Sequence, residues 1–347
     1  MPEFVELDRL FALLRINAEA TLENPFGWGT WRPTPLLHWA DLQKERRVVV
    51  LGEAASGKSA EFAHQIDVLR ERGEAAFLVR IEELADHGFV ISLDPRATEL
   101  FNTWRAGSAD GWFYLDSIDE ARLNRKSLEA VLTRFATDLR DALVRAHVYV
   151  SCRPSDWKSP DYLRLLQRRL PLLSAPPGAP AVPPEDPFVA PLLRSEREIK
   201  TATQHRVAEN GGDSVPLIVQ LTPLSATQCR TLAHACGICL PDQFMLGIQR
   251  SGLDVFIERP GDVMALVGYW LKYHQFACYT EMIEFGIKQK LEELDAFGPD
   301  NEVLSSTQAR EGAERLAAAL TLGKTFTLRA PGHKPPPATN AIFYSKA

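Results

Sequence analysis

Hydrophobic residues in the first two thirds of the chain alternate between short apolar runs and longer stretches with helical spacing. The apolar runs predict strands within residues 48–52, 74–81, 111–123, 147–157 and 215–225. Amphipathic helices are predicted between them, over residues 59–73 and 125–146. Strands that alternate with helices are typical of a parallel sheet covered on both faces, and such sheets bind ligands at the carboxyl ends of their strands.

The pattern becomes purely helical after residue 225. Helical spacing recurs within residues 225–237, 241–252, 259–274, 279–294 and 306–323. Residues 3–16 also place apolar side chains at helical spacing, so a helix is expected there. Residues 171–191 contain eight prolines and are expected to form a loop or a stiff insertion, because proline interrupts helices and central strands.

The strongest chemical signal lies where the first apolar run meets a helix. Residues 48–62 read VVVLGEAASGKSAEF, in which Gly52, four residues, Gly57, Lys58 and Ser59 have the spacing of a phosphate-binding loop. We call residues 52–59 the phosphate loop. In such a loop, backbone N–H groups at a helix N-terminus surround a nucleotide's phosphates, the lysine supplies a charge and the serine a Mg²⁺ ligand. The alternative is a glycine-rich turn that binds nothing.

Acidic residues follow the apolar run WFYL. Asp116 comes directly after it, where a carboxylate would lie near Mg²⁺. Asp119 and Glu120 come within the next turn, and either carboxylate could orient or deprotonate a water for attack on a γ-phosphate. This arrangement favours hydrolysis. The alternative is that Asp119 and Glu120 cap the next helix, since acidic side chains complement its N-terminal dipole.

Arg153 stands at the end of a further strand, in VYVSCRP. A guanidinium there could reach a γ-phosphate and report its presence through paired hydrogen bonds, although a surface salt bridge is the alternative. Cys152 has no histidine and acid pattern that would make it a nucleophile, so a small buried residue is expected.

Composition limits the remaining classes. The formal net charge of -6 arises from interspersed carboxylates, which disfavours a broad cationic surface for nucleic acid. The five cysteines, with no signal peptide and no apolar run long enough to cross a bilayer, indicate a reduced, cytoplasmic protein without a membrane partner. Cys229, His234, Cys236 and Cys239 lie close in sequence, but no second ligand pair at finger-like spacing supports zinc. Packed free thiols are expected instead.

Three stretches together resemble the NACHT-type branch of the STAND class of signal-transducing P-loop NTPases, especially its bacterial antiphage-defence members. They are LGEAASGKSAE, FYLDSIDEARL with its extended acidic ending, and SCRPSDW with its Arg-Pro strand end. The resemblance continues through LIVQLTPLSATQCRTLA and ERPGDVMALVGYW and covers roughly residues 35–295. It implies an α/β fold: a parallel-sheet P-loop NTPase domain covered by helices, followed by a small all-α domain.

The resemblance also implies roles for individual residues. The nucleotide-binding set is Gly52, Glu53, Ala54, Ala55, Ser56, Gly57, Lys58, Ser59, Ala60 and Pro260, with Pro260 on the adenine side. Ser59 and Asp116 would hold Mg²⁺, while Glu120 or Asp119 would act in hydrolysis and Arg153 as the sensor. The implied cofactors are ATP or ADP with Mg²⁺.

The resemblance predicts four segments. They are a helical lead segment at 1–45, the NTPase domain at 46–222 with a Pro-rich insertion at 171–195, a helical lid at 223–298, and a final helix and tail at 299–347 that would begin a winged-helix domain. No effector domain is recognised. The chain either ends early by nature or is cut from a longer protein; it is expected to be a switch, and a longer chain is expected to self-associate in the ATP state. Its trigger is unknown. An AAA-like motor or loader acting on protein or nucleic acid is the alternative, and a non-hydrolysing binding module is a further one.

Overall fold

The computed structural model describes residues 4–14, 35–81, 83–84, 88–118, 125–157, 159–172, 215–277, 280–282, 284–288 and 305–323. The strands are β1 (Phe11–Leu13), β2 (Leu36–Leu37), β3 (Arg47–Leu51), β4 (Ala75–Arg80), β5 (Gly111–Ile118), β6 (Ala146–Cys152) and β7 (Leu217–Leu221). The helices are α1 (Trp39–Leu42), α2 (Lys58–Glu71), α3 (Pro95–Ala106), α4 (Arg125–Leu139), α5 (Ser159–Arg169), α6 (Ala226–Ala235), α7 (Pro241–Arg250), α8 (Pro260–Tyr273) and α9 (Ser306–Gly323). Two 3-10 turns cover Arg140–Arg145 and Asp254–Phe256.

The strands form one seven-stranded sheet in the order β2-β1-β7-β3-β6-β5-β4. The five strands from β7 to β4 are parallel, whereas β1 pairs antiparallel with both β7 and β2. The chain leaves β3, crosses to the β4 edge, returns through β5 and β6, and then passes to the other side of β3. The strand order therefore reverses at β3, and in open α/β sheets such a reversal opens a crevice for ligands at the strands' carboxyl ends.

Both faces of the sheet are buried, as its parallel strands require. Alternate residues of β3 divide between the two hydrophobic clusters: Val49 and Leu51 pack with Phe113 on one face, and Val48 and Val50 with Tyr149 on the other. Because successive side chains of a strand point to opposite faces, a continuous apolar run such as VVVL fits a strand that is covered on both sides. This confirms the prediction of a helix-covered parallel sheet, and its antiparallel edge is an addition to that prediction.

The helix expected over residues 3–16 is wrong for the part of that segment that the structure describes. Residues 4–10 form no regular element, and Phe11–Leu13 form β1, which pairs between β2 and β7. Leu7, Arg9 and Phe11 are buried while Glu6 and Asp8 are exposed, which is the period of a strand. An arginine in one of the buried positions concealed that alternation, and pairing with β7 decided the conformation.

The elements described after β7 are all helical, as predicted, and the chain divides into two compact units, residues 1–268 and residues 269–347. The proline-rich stretch from residue 173 onward, Asp119, Glu120 and the tail after residue 323 lie outside the described residues. In the part of the chain that is described, no helix has both the length and the apolar character needed to span a bilayer. The four-segment division stays a prediction.

Candidate phosphate-binding site

The phosphate loop joins the carboxyl end of β3 to the start of α2, at the reversal of strand order. Its first residue is anchored to the neighbouring strand, since Gly52 N–H donates to the Cys152 carbonyl at 3.1 Å. Two residues adopt left-handed backbone conformations, Ala55 with φ 61° and Gly57 with φ 92°. Gly57 is the N-cap of α2, so the loop ends where the helix's unpaired N–H groups begin. A concave loop at a helix N-terminus suits an anion.

Close packing inside the loop explains its first glycine. A Cβ on Gly52 would lie 2.8 Å from Ser56 Oγ and 3.1 Å from Lys58 Cδ. The Ser56 side chain is itself buried, and its hydroxyl has no hydrogen-bond partner among the described residues. An unpartnered buried hydroxyl beside a helix N-terminus is a polar group without protein compensation, which is a feature that a bound polar ligand would relieve.

Lys58 folds back over the loop. Its ammonium donates to the carbonyls of Gly52 at 2.5 Å and Glu53 at 2.9 Å. Burial lowers the pKa of Lys58, the negative charge of Asp116 opposes that change, and the positive charge of Arg153 adds to it. An ammonium has three N–H donors, so one of them is left for a further acceptor in this arrangement. Lys58 therefore places a partly desolvated cation at the loop, within electrostatic range of the two neighbouring strand ends.

Asp116 lies buried near the end of β5, which is separated from β3 and its loop by β6. It accepts a hydrogen bond from Ser151 Oγ of the intervening strand β6 at 2.5 Å. This bond uses one carboxylate oxygen, Oδ1, and fixes the orientation of the other. Ser151 is completely buried and was not predicted as a site residue. A signal for it existed, because Ser151 is the polar residue within the otherwise apolar run VYVSC of a central strand.

The predicted sensor lies at the same edge of the sheet. Arg153 is exposed directly after β6, and its charge acts on Lys58. The structure thus places Lys58 after β3, Arg153 after β6 and Asp116 near the end of β5, at the carboxyl ends of three neighbouring strands. Ser59 is exposed in the first turn of α2, where its hydroxyl is accessible. Asp119 and Glu120 are not described, and their roles stay predictions.

The start of α8 packs directly on the phosphate loop. Gly261 N–H donates to the Ala55 carbonyl at 3.1 Å, and a Cβ on Gly57 would lie 3.5 Å from Pro260 Cγ. A Cβ on Gly261 would come within 2.6 Å of Ala55 Cβ, so a glycine is needed at this approach. Pro260 occupies the first helical position, which its fixed φ suits. The predicted adenine-side residue therefore contacts the loop itself.

Sequence reasoning missed a buried arginine behind the loop. Arg9 is 3% exposed and donates to the Ser56 carbonyl at 3.1 Å. Burial lowers its pKa, and the carboxylate of Glu61 opposes that change. Glu61, in the first turn of α2, is buried too and accepts a hydrogen bond from Trp39 Nε1 at 2.9 Å. Trp39 also packs edge-on against Phe11.

Three of the four described cysteines follow the prediction of packed thiols, whereas Cys239 is exposed, so the prediction is wrong there. Cys152, Cys229 and Cys236 are buried, and burial raises the pKa of Cys229 to about 11. No group of three or more histidine, cysteine, aspartate or glutamate side chains suited to a metal occurs within the described ranges. The predicted metal ligands Ser59 and Asp116 would supply two oxygen atoms. Such a pair suits Mg²⁺, which usually retains several waters and binds phosphate oxygens.

Comparison with known proteins adds no family. No protein-family model and no curated protein matches the chain. Among solved structures, the replication initiator DnaA bound to AMPPCP and single-stranded DNA is similar at 13% identity and a TM-score of 0.37, covering 81% of this chain and 73% of that one. A Walker-type ATPase of Pyrococcus abyssi is similar at 13% identity and a TM-score of 0.40, covering 74% and 72%. The strand order and the loop at its reversal define the class, a parallel-sheet fold of the P-loop NTPase type.

Proposed function

We propose that the chain binds ATP and ADP with Mg²⁺ and works as a slowly hydrolysing signalling switch of the NACHT-like STAND type. One observation carries the proposal: the phosphate loop lies at the reversal of strand order with Lys58 over it, while Pro260 and Gly261 pack on its outer side. A binding loop that is covered by the start of a helix suits a protein that retains its nucleotide.

Phosphate binding rests on the chemistry of the loop. The N–H groups at the start of α2 have no helical carbonyls to bind, and the helix dipole adds a partial positive charge there. Lys58 adds a full charge, and the Ser56 hydroxyl is buried without a partner among the described residues. These donors fit the oxygens of a diphosphate or triphosphate. Gly52, Glu53, Ala54, Ala55 and Ala60 complete the segment that would surround them.

Metal binding and hydrolysis are assigned to the acidic strand end. Ser59 and Asp116 would hold Mg²⁺, which when bound neutralises charge on the phosphate oxygens. The hydrogen bond from Ser151 holds the Asp116 carboxylate in place before a ligand arrives. Glu120, with Asp119 as the second candidate, would take a proton from the attacking water or orient it.

Switching is assigned to Arg153 and the start of α8. A ligand can shift an equilibrium between two states only through contacts that differ between them, and a γ-phosphate within reach of Arg153 would supply such a difference. The contacts that Pro260 and Gly261 make with the loop do not depend on the γ-phosphate. ADP would then stay bound until those contacts open, so release would be slow and turnover low. The antiphage-defence role is proposed on the resemblance of the three motifs alone.

The experiment is to purify the protein without added nucleotide, denature it, and identify what is released by chromatography. We expect about one ADP per chain, a steady-state ATPase rate well below the usual range of about 1–1000 per second, and a monomeric mass with ADP. Nucleotide-free protein with many turnovers per second and rings with a non-hydrolysable ATP analogue would contradict the switch and indicate the AAA-like motor. Protein that binds no nucleotide would contradict both.

A further inference from the structure

A single buried guanidinium joins the N-terminal segment, defined as residues 4–14, to the phosphate loop and to the end of β7. Arg9 Nη1 donates to the Ser56 carbonyl at 3.1 Å, and Arg9 Nη2 donates to the Thr222 carbonyl at 2.6 Å. The side chain is 3% exposed, and its Nε–H has no acceptor among the described residues. Burying a charge is costly unless it is paired and hydrogen-bonded, and the two carbonyl acceptors together with the charge of Glu61 offset that cost.

The bond to Ser56 determines how the following peptide N–H is oriented. In a trans peptide, the C=O and the N–H of one plane point in opposite directions. Because Arg9 holds the Ser56 carbonyl on one side, the N–H of Gly57 is directed to the other side. Within the described part of the chain, no carbonyl or side chain accepts a hydrogen bond from that N–H. Gly57 has φ 92° and no side chain, so its own conformational preference does little to fix the direction of its N–H.

We propose that Arg9 is a positioning residue of the nucleotide site, which turns the Gly57 N–H toward the β-phosphate by holding the Ser56 carbonyl. This inference rests on the proposed nucleotide binding and adds a residue and a segment that the phosphate-loop motif does not contain. Arg9 acts through the peptide between Ser56 and Gly57.

The surroundings of Arg9 keep the guanidinium in place. Thr222 donates from both its N–H and its Oγ1 to the Leu10 carbonyl, each at 3.0 Å, so the residue after Arg9 is tied to the same strand end. Glu61 supplies a negative charge that acts on Arg9, and its carboxylate accepts a hydrogen bond from Trp39 Nε1 at 2.9 Å. The arginine is thus fixed before any nucleotide binds, which makes it a preorganised support for the loop.

The same junction connects to the covering helix. Leu224 N–H, two residues after Thr222, donates to the Glu258 carbonyl at 2.8 Å, and Glu258 stands two residues before Pro260. A displacement of the N-terminal segment would release the Ser56 carbonyl and strain the connection to the start of α8. The N-terminal segment is therefore connected to both sides of the nucleotide site, and its position would regulate affinity for the phosphates.

The test compares ADP with AMP, because AMP has no β-phosphate. Binding of both is measured by calorimetry or competition for wild type, Arg9→Gln and Arg9→Lys. In Arg9→Gln, we expect the affinity for ADP to fall about tenfold or more and that for AMP to change by less than about twofold. Arg9→Lys keeps the charge, but an ammonium lacks the planar set of donors with which a guanidinium binds two separate carbonyls. Its affinity for ADP should therefore lie between those of the wild type and Arg9→Gln.

Arg47→Gln is the matched control. Arg47 is also buried and donates to carbonyls, to Leu170 at 3.1 Å and Leu143 at 3.2 Å, but it lies at the other end of β3 from the loop. The Arg47→Gln substitution should lower the melting temperature without changing the ratio of ADP to AMP affinity. An unchanged ratio in Arg9→Gln, or an equal change in Arg47→Gln, would overturn the positioning role.

Two further measurements complete the test. In the wild type, ADP should slow amide hydrogen exchange in residues 4–14 and AMP should not; equal protection by both nucleotides would contradict the inference even if no Arg9 variant folds. Loss of ADP binding in Lys58→Ala together with an unchanged ratio in Arg9→Gln would refute this inference alone. A wild-type protein that binds no ADP would refute the proposed function as well.

Discussion

A methyl group added at Gly261 tests whether the start of α8 covers the phosphate loop. The Cβ of Gly261→Ala would lie 2.6 Å from Ala55 Cβ and 3.3 Å from the Ala55 carbonyl oxygen. Carbon atoms in contact are normally about 3.5–4.0 Å apart, so the phosphate loop and the start of α8 must separate by roughly 1 Å. Ala55 cannot turn aside, because its β-carbon is attached to a left-handed backbone with φ 61°. The strain therefore falls on the contact between loop and helix.

The magnitude follows from what the contact can lose. The hydrogen bond from Gly261 N–H to the Ala55 carbonyl contributes about 0.5–1.5 kcal/mol, and forcing an extra methyl into a packed contact costs about 1–3 kcal/mol. The smaller of the two losses applies, because the helix start can lift off instead of compressing. We expect about 0.5–1.5 kcal/mol, which corresponds to ADP release about 2–13 times faster. If Gly261 did not pack against Ala55, the alanine would instead stabilise the helix by about 0.5–1 kcal/mol relative to glycine. The sign of the change in stability therefore shows whether the contact exists.

The assay is stopped-flow release of a fluorescent ADP analogue, together with thermal unfolding. Gly312→Ala in α9 is the matched control, because its added Cβ would meet nothing within 4 Å. It should leave release unchanged and raise stability slightly. Wild-type release and wild-type melting temperature in Gly261→Ala would refute the reasoning, because the glycine could not then be packed against Ala55 in the nucleotide-bound protein.

The remaining predictions concern the phosphates, the metal and the attacking water. Lys58→Ala removes a charge-assisted contact, so calorimetry should show ATP affinity lowered about tenfold to a hundredfold; unchanged affinity in folded protein would contradict its role. Glu120→Gln should keep ATP bound and slow single-turnover hydrolysis, and wild-type rates in both this variant and Asp119→Asn would reassign the pair to helix capping. Ser151→Ala leaves Asp116 without its hydroxyl donor at 2.5 Å, so the Mg²⁺ concentration needed for half-maximal hydrolysis should rise while metal-free ADP affinity stays constant. Equal losses with and without Mg²⁺ would indicate a folding defect instead.

The local chemistry of the loop was readable from the chain because it depends on residues close together in sequence. Gly57, Lys58 and Ser59 are adjacent, and the run VVVL that precedes the phosphate loop is apolar at every position, so a buried strand that leads through a glycine-containing loop into a helix could be inferred. Asp116 was found for the same reason, as the first polar residue after an apolar run. In each case the role of the residue could be predicted from the strand or helix N-terminus next to it in sequence, without knowledge of the rest of the fold.

Arg9, Ser151 and Gly261 were not found, because each derives its role from a partner far away along the chain. Arg9 meets Ser56 across 47 residues, and Ser151 meets Asp116 across 35. The N-terminal helix was predicted wrongly for a related reason: an arginine in a buried position looks like a break in a strand pattern unless the carbonyls that bind it are known. At Gly261 the sequence indicates only a helix that begins with Pro-Gly, and it does not indicate which residue packs against that glycine.

The sequence by itself determined the alternation of strands and helices, the all-helical end, and the phosphate loop with its acidic and basic strand ends, because backbone periodicity and helix termini follow local rules. Only the tertiary structure decided that β6 lies between β3 and β5, which puts Ser151 beside Asp116. It also decided that β1 pairs with β7, which brings Arg9 within hydrogen-bonding distance of the Ser56 carbonyl in the phosphate loop. Strand order and the burial of a charge depend on all the chain's packing at once, and no stretch of sequence encodes them alone.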